Sequence, residues 1–169
     1  MKTEIHTARL RIMEPRMSLA KLYVSWLNDP EIVKYSEQRH RQHTDYTQIN
    51  YMYENEGAYH GIFLTDNAET PIGTITAHID IHNKVANVGI MIGDKSQQNK
   101  GYGYEAWKAL CDDLLSNGIR KVEAGCMEIN RPMRKICGKY GMSVEAVVPD
   151  HFLYEDMAVD KFLFGKFAK

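Results

Sequence analysis

At 169 residues the chain is long enough to bury one hydrophobic core and short for two. Hydrophobic residues make up 44% and charged residues 25%, and the formal net charge is −1, which excludes a strongly basic surface for nucleic acid or an anionic membrane. No secretion signal and no run of roughly 20 apolar residues is present, and the three cysteines lack CxxC spacing. We therefore expect one cytoplasmic domain spanning residues 1–169, without a disulfide framework and without nucleic-acid or membrane partners.

The first third of the chain predicts one strand followed by helices. Residues 3–13 carry an extended pattern typical of a strand. Ser18 is placed to cap a helix that Asn28-Asp29-Pro30 interrupts, with apolar positions at Leu19, Leu22, Tyr23 and Trp26. Glu31 to Tyr35 predicts a further short helical turn. Thr44 is placed to cap another helix, whose apolar face we expect to contain Tyr46, Ile49, Met52 and Tyr53.

The middle of the chain predicts three strands in succession, over Tyr59–Leu64, Ile72–Ile81 and Lys84–Ile92. Their connections are short, which indicates antiparallel pairing because a parallel crossover needs a dozen or more residues. A polar loop over 93–100 follows. The next helix is strongly amphipathic and ends near Gly118, and its apolar stripe contains Ala106, Trp107, Leu110, Cys111, Leu114 and Leu115.

The last third predicts a strand over Ile119–Met127, a short helix over Pro132–Tyr140, and two closing strands over Met142–Val148 and Met157–Phe164. The element order is then β-α-α-β-β-β-α-β-α-β-β. This order predicts an α+β fold, with a mixed, mostly antiparallel central sheet flanked by helices.

The segment Gln98-Asn99-Lys100-Gly101-Tyr102-Gly103-Tyr104 lies between a predicted strand and a predicted helix. Glycines at a helix start let backbone N–H groups point at an anion, and the helix N-terminus adds a partial positive charge. The segment therefore predicts a pyrophosphate site, to which Lys100 would add a formal charge. A glycine-eased helix start without a ligand is the structural alternative.

The same glycines also fit a dinucleotide-binding fingerprint, with Glu123 near the expected acidic position. Two features argue against this interpretation. The preceding strands are predicted to be antiparallel, and only one further strand–helix unit follows, whereas a doubly wound sheet needs two βαβαβ halves.

Several motifs together resemble the GNAT superfamily of N-acetyltransferases. They are the strand Val88-Gly89-Ile90-Met91-Ile92-Gly93 followed by Gln98-x-x-Gly101-x-Gly103, and Asn130 with Met133, Lys139 and Gly141-Met142 at family spacing. Trp26-Leu27-Asn28-Asp29-Pro30 resembles the branch that contains ribosomal-protein N-terminal and amino-sugar-nucleotide acetyltransferases. The similarity extends over nearly the whole chain.

The resemblance implies a sheet that splays open beside the Val88–Ile92 strand and acetyl-CoA as the acetyl donor, with no metal. Backbone N–H groups near Ile90 or Met91 would polarise the thioester carbonyl. Asn130 would bond the pantetheine arm, although it is also placed to cap a helix before Pro132. The cofactor-binding set implied is Ile90, Met91, Ile92, Gln98, Asn99, Lys100, Gly101, Tyr102, Gly103, Tyr104 and Asn130.

The sequence departs from family patterns where protons move. Many relatives have a tyrosine seven residues after the asparagine, and Cys137 occupies that position here; Asn87 replaces a frequent glutamate. Cys137 is a candidate proton donor to the CoA thiolate, with a buried apolar role as the alternative. For the base we select His78, which alternation places on the polar face of its strand, although a hydrogen-bonded structural histidine fits equally.

The segment 35–44 is unusually polar and cationic, and the resemblance implies that it borders the acceptor cleft. The predicted acceptor-binding residues are Trp26, Tyr35, Arg39, His40 and Arg41, with the two arginines placed to clamp a diphosphate. A solvated loop is the alternative. The predicted function is acetyl transfer from acetyl-CoA to the amine of an amino-sugar nucleotide, by direct attack in a ternary complex, with a homodimer as an open expectation. A protein N-terminal acetyltransferase and a non-catalytic CoA sensor are the alternatives.

Overall fold

The computed structural model describes residues 4–169, which form one eight-stranded sheet with the strand order β1-β2-β3-β4-β5-β6-β8-β7. The strands are β1 (Glu4–His6), β2 (Leu10–Met13), β3 (Tyr59–Leu64), β4 (Asn67–Asp80), β5 (Val85–Ile92), β6 (Lys121–Met127), β7 (Ser143–Tyr154) and β8 (Met157–Phe167). The helices are α1 (Ala20–Leu27), α2 (Pro30–Val33), α3 (Asp45–Glu54), α4 (Tyr102–Ser116) and α5 (Arg131–Tyr140). The α+β prediction is confirmed. No helix within residues 4–169 is long and apolar enough to cross a membrane.

The single strand predicted over residues 3–13 is a hairpin of β1 and β2, and residue 3 lies outside the described part of the chain. The hairpin bends because the Thr7 hydroxyl accepts from the backbone N–H of Leu10 at 2.9 Å and of Arg9 at 3.3 Å. A side chain that bonds its own backbone in this way favours a turn over a continuous strand.

Two details of the predicted helices are wrong. Ser18 does not cap α1, because residues 17–19 form a short 3₁₀ turn and the helix starts at Ala20. Thr44 does cap α3 and accepts from the Thr47 N–H at 3.2 Å, but the buried face of that helix contains Gln48 and Met52. The remaining residues predicted for that face are exposed, namely Tyr46, Ile49 and Tyr53.

The main core lies between the sheet and the pair α4 and α5. It is centred on Trp107, Leu110 and Leu114 of α4, which are at most 1% exposed. A smaller cluster on the opposite face holds α1 and α3 against the sheet through Tyr23, Trp26, Met52 and Tyr59. Helices therefore cover both faces, and the sheet between them positions the residues of the candidate site.

The sheet opens between β5 and β6. These two strands are parallel and pair only over Val85–Asn87 against Lys121–Glu123, whereas β5 pairs with β4 as far as Ile92. The strand segment over 88–92 therefore has its edge towards β6 unpaired within the described residues. An unpaired strand edge offers backbone donors and acceptors to a ligand that lies along it.

The two closing strands are longer than predicted and form one hairpin. β7 extends to Tyr154 and β8 begins at Met157, and the connecting residues Glu155 and Asp156 both have positive φ. This combination is typical of a tight two-residue hairpin turn. The tip of the hairpin extends beyond the sheet towards the segment between α2 and α3.

Candidate active site

The loop between β5 and α4 is shaped as the sequence predicts. Asn99 and Gly101 both have positive φ, and Gly101 is the N-terminal capping position of α4 with no side-chain cap. The first N–H groups of a helix have no intrahelical partner, so the amides of Tyr102, Gly103 and Tyr104 point out of the helix start. This turn presents convergent backbone donors together with the positive end of the helix dipole, which together suit a pyrophosphate.

Gln98 fixes the start of this loop. Its Nε2 donates to the carbonyl oxygen of Ile92 at 2.9 Å, which ties the loop to the last residue of β5. Lys100 lies close by, with its Nζ donating to Gln97 Oε1 at 3.0 Å. The loop conformation thus depends on side chains within the motif as well as on its glycines.

A contact that sequence reasoning missed holds the helix start from the other side. The guanidinium of Arg9 bonds Glu105 of α4, with its Nη2 2.6 Å from Oε2, and donates to the carbonyl oxygen of Lys100 at 3.2 Å. The same guanidinium lies 4.5 Å from the centre of the Tyr102 ring. Thr7 also donates to Glu105, at 2.6 Å. The acidic residue in the first turn of α4 was the only sequence signal for this contact, because its partners are over 90 residues away.

We expect Arg9→Ala to raise the Kd for CoA about tenfold, because it removes a positive charge beside the helix start and frees the carbonyl of Lys100. Arg11→Ala is the matched control, since Arg11 lies in the same hairpin and pairs with Glu4 at 2.6 Å, away from the loop. Isothermal titration of CoA against both variants measures the difference. Equal affinities would contradict a role for Arg9 in holding the loop.

This contact should also depend on pH. Burial raises the pKa of Glu105, but hydrogen bonds from Thr7 and Arg9 outweigh burial and hold it below its ordinary value. A carboxyl whose pKa is lower in the folded state stabilises the fold at pH values above its pKa in the unfolded state, near 4.3. That stabilisation is lost as the pH falls through the pKa in the folded state. The ion pair between Arg9 and Glu105, which restrains the loop, should therefore weaken below about pH 4.

Two further predicted residues, Asn130 and Cys137, lie at the start of α5 and within it. Asn130 caps α5, its Oδ1 accepting from the Met133 N–H at 3.1 Å, so the structural part of its predicted role is present. Cys137 is fully buried in the main core, and burial raises the pKa of its thiol to about 12. This environment favours the apolar interpretation of Cys137. Tyr140 faces α4 and donates to Asp112 Oδ1 at 2.8 Å.

Two more of the predicted site residues, His78 and Trp26, lie on the opposite face of the sheet, with α1 and α3. His78 is exposed on β4, and its Nε2 lies 3.4 Å from the hydroxyl of Tyr51 on α3. Trp26 is only 6% exposed and packs in the cluster of α1 and α3, beneath Gly93 at the start of the loop. Trp26 therefore supports the site from below, whereas His78 faces solvent in the cleft.

The cationic segment over 35–43 is held against the hairpin of β7 and β8. Arg39 donates to the carbonyl oxygen of Leu153, and its guanidinium lies 6.0 Å from the centre of the Tyr154 ring. The Tyr35 ring centre is also 6.0 Å from that of Tyr154. These contacts pack Tyr35 and Arg39 against the hairpin, whereas His40 and Arg41 are exposed.

Two further contacts fix this segment. Lys161 of β8 donates to Glu37 Oε1 at 3.0 Å, which makes a second bridge between the segment and the hairpin. Asn28 bonds both the N–H and the carbonyl oxygen of His43 at 2.9 Å, which fixes the far end of the segment. The segment is therefore fixed at both ends, against the hairpin and against α1.

The splayed sheet, the glycine-containing helix start and the cleft on the opposite face define an acyl-CoA-dependent acyltransferase. The family model for the acetyltransferase (GNAT) domain matches residues 9–143, so the chain belongs to the GNAT family of acetyltransferases. It is accordingly an enzyme that uses acetyl-CoA as the acetyl donor. A comparison with curated protein sequences gives no significant match.

Solved structures share the fold over almost the whole chain. A GNAT-family acetyltransferase from Bacillus anthracis has a TM-score of 0.84 at 20% identity, with 98% of each chain covered. The ribosomal-protein α-N-acetyltransferase RimL, in complex with coenzyme A, has a TM-score of 0.83 at 15% identity, with 97% of each chain covered. The microcin self-immunity acetyltransferase MccE, in complex with acetyl-CoA and AMP, has a TM-score of 0.77 at 16% identity, covering 95% of this chain and 93% of that one.

Proposed function

We propose that this acetyltransferase acetylates the amino group of an amino-sugar nucleotide, by direct attack of the amine on acetyl-CoA in a ternary complex within the cytoplasm. The observation that carries this proposal is a group of cations that would form one wall of the acceptor cleft. Arg39 and Lys161 lie where the segment over 35–43 meets the β7–β8 hairpin, and Arg41 is exposed beside them. Such a wall suits an acceptor that carries negative charge, as a diphosphate does.

The donor would occupy the other face of the sheet. The amides of residues 102–104 would hold its pyrophosphate, and the open edge of β5 would pair with its pantetheine arm. A backbone N–H near Met91 would then stabilise the negative charge that develops on the thioester oxygen. The gap between β5 and β6 connects the two faces, so donor and acceptor would meet there without a covalent enzyme intermediate.

A protein N-terminus is the second candidate acceptor. The structural similarity to RimL, a ribosomal-protein α-N-acetyltransferase, supports it. The similarity to MccE, whose structure is in complex with acetyl-CoA and AMP, supports a nucleotide-containing acceptor instead. These two acceptors differ in charge, and a measurement can separate them on that basis.

The test is release of the CoA thiol from acetyl-CoA, with amino-sugar nucleotides and short peptides offered in parallel. We expect turnover with a sugar nucleotide, and we expect Arg41→Ala to raise its KM about tenfold at unchanged kcat, because this exposed cation would contribute binding equally to ground and transition states. Lys108→Ala, which removes an exposed cation on α4, is the control and should leave KM unchanged. Turnover with peptides alone, unaffected by Arg41→Ala, would overturn the sugar-nucleotide proposal in favour of the N-terminal acceptor.

A further inference from the structure

Glu123 of β6 is a carboxylate on the face of the sheet opposite α4 and α5, directly across from Asn87 of β5 where the gap between the two strands begins. Asn87 of β5 and Glu123 are paired in the parallel register, and they are the last paired residues before the two strands separate. Residues paired in a sheet project to the same face, and neighbouring strands lie about 4.8 Å apart. Ala86 and Val122, the preceding pair, are buried, so Asn87 and Glu123 face the other side, towards the cleft.

Glu123 lies in a cleft of about 530 Å³ that also contains His78, Asp80, Asn87 and Arg120. His78 is paired with Asn87 from the other side, so the row across the sheet runs from His78 through Asn87 to Glu123. Only Asn87 and Glu123 border the gap itself, because β5 separates His78 from it. The Asn87 amide does not accept a proton at neutral pH, which leaves Glu123 as the basic group beside the gap.

The cation nearest to Glu123 is shared with a second carboxylate. Lys121 Nζ lies 3.6 Å from Glu123 Oε2 but only 2.6 Å from Glu145 Oε2, so the closer partner of this lysine is Glu145. The side chain of Glu123 is 38% exposed, so solvent reaches its carboxylate. Lys161 is also near, its Cε being 3.2 Å from the position of a Cβ on Gly125, two residues further along β6.

We propose that Glu123 accepts, through water, the proton of the acceptor's ammonium group. The inference rests on the proposed function, acetyl transfer to an amine. The ammonium gives one proton to the carboxylate and becomes a free amine, whose nitrogen then forms the bond to the thioester carbon. The carbon–sulfur bond breaks, the second proton from nitrogen goes to the CoA sulfur, and Glu123 returns its proton to solvent through the open cleft. The products are the acetamide, CoA thiol and one released proton.

The test compares Glu123→Gln with Glu145→Gln, a matched change at the neighbouring carboxylate that also contacts Lys121. We expect Glu123→Gln to lower kcat about 100-fold, the lower range for a general base. CoA affinity, measured by titration, should not change, because the donor binds on the other face. Glu145→Gln should keep kcat within about twofold of wild type, since it removes no group from the cleft floor.

A rescue experiment separates proton transfer from a structural role. In the Glu123→Gln background, Asn87→Glu places a carboxylate on the paired position across the gap, and we expect it to restore kcat at least tenfold. Wild-type kcat in Glu123→Gln, or loss of activity in His78→Ala alone, would overturn the inference and place proton transfer at the histidine. No release of CoA thiol by the wild-type enzyme with any amine would contradict the proposed function, and the inference with it.

Discussion

Gly73→Ala is expected to destabilise the protein by about 2 to 3 kcal/mol, the upper range for an overpacked core position. Gly73 of β4 is paired with Ile92 of β5, and a Cβ on it would lie 2.2 Å from the carbonyl oxygen of Met91 and 3.0 Å from the Cα of Ile92. Both are backbone atoms, so no side-chain rotation relieves the contact. β5 itself would have to move away from β4.

The same displacement of β5 should also slow acetyl transfer, because the N–H groups of that segment are proposed to polarise the thioester. We therefore expect kcat to fall as well as stability. Gly138→Ala is the control: Gly138 lies inside α5, and a Cβ there would have no heavy atom within 4 Å. Alanine is favoured over glycine within a helix, so this variant should gain about 0.5 to 1 kcal/mol.

Urea unfolding of the two variants against wild type measures the change in free energy, and CoA-thiol release measures the change in kcat. Equal unfolding midpoints for Gly73→Ala and wild type would contradict the close approach of β4 and β5. A loss of stability with unchanged kcat would show instead that β5 recovers its position at the thioester.

Local signals in the sequence were sufficient for the antiparallel order of β3, β4 and β5 and for the strand–loop–helix arrangement around Gly101. The loop combines a strand, a turn with Gly101 and an amphipathic helix within 30 residues, and each of these leaves a short-range pattern. The burial of Tyr23 and Trp26 on one face of α1 follows from helical spacing alone. Where neighbouring residues determine the structure, the sequence prediction is confirmed.

The errors arise where distant parts of the chain decide between similar local patterns. In α3, tyrosines occur on several faces, and the helix turns Gln48 inward because its amide donates to the buried hydroxyl of Tyr59 at 3.3 Å. β7 continues past Pro149, a residue that argues against a strand, because β7 is the edge strand and a bulge follows Val148. Neither the partner of Gln48 nor the edge position is visible from the local sequence.

The same limit applies to the candidate site. Arg9 and Glu105 are 96 positions apart in sequence, and Glu123 becomes notable only once the register places it beside Asn87. The two arginines of the predicted acceptor clamp also have different surroundings. Arg39 donates a hydrogen bond to the carbonyl oxygen of Leu153, whereas Arg41 is exposed. Residue types were therefore predictable, but which of them share a cleft was not.

Gly101→Ala is expected to weaken CoA binding at least tenfold. Gly101 has φ of +87°, a left-handed conformation that costs an L-residue roughly 1 to 2 kcal/mol, and it immediately precedes the first helical residue of α4. Relaxing that strain rotates the peptide planes after it, which misaligns the amides of residues 102–104 that are proposed to hold the pyrophosphate. A tenfold change corresponds to about 1.4 kcal/mol of binding free energy, so loss of a single good amide contact suffices.

Gly118→Ala provides the control with matched backbone strain. Gly118 has φ of +94° just beyond the other end of α4, and a Cβ there has no heavy atom within 4 Å. The variant therefore has the same left-handed backbone strain but leaves the loop between β5 and α4 unchanged. We expect both variants to lose similar stability in urea unfolding but only Gly101→Ala to lose CoA affinity in isothermal titration. Equal loss of affinity in both variants would assign the effect to general destabilisation of α4, whereas unchanged affinity in both would remove the helix start from the donor site. The combination of equal strain and unequal affinity is what a pyrophosphate held by backbone amides requires, because the direction of those amides depends on the local path of the chain at the helix start.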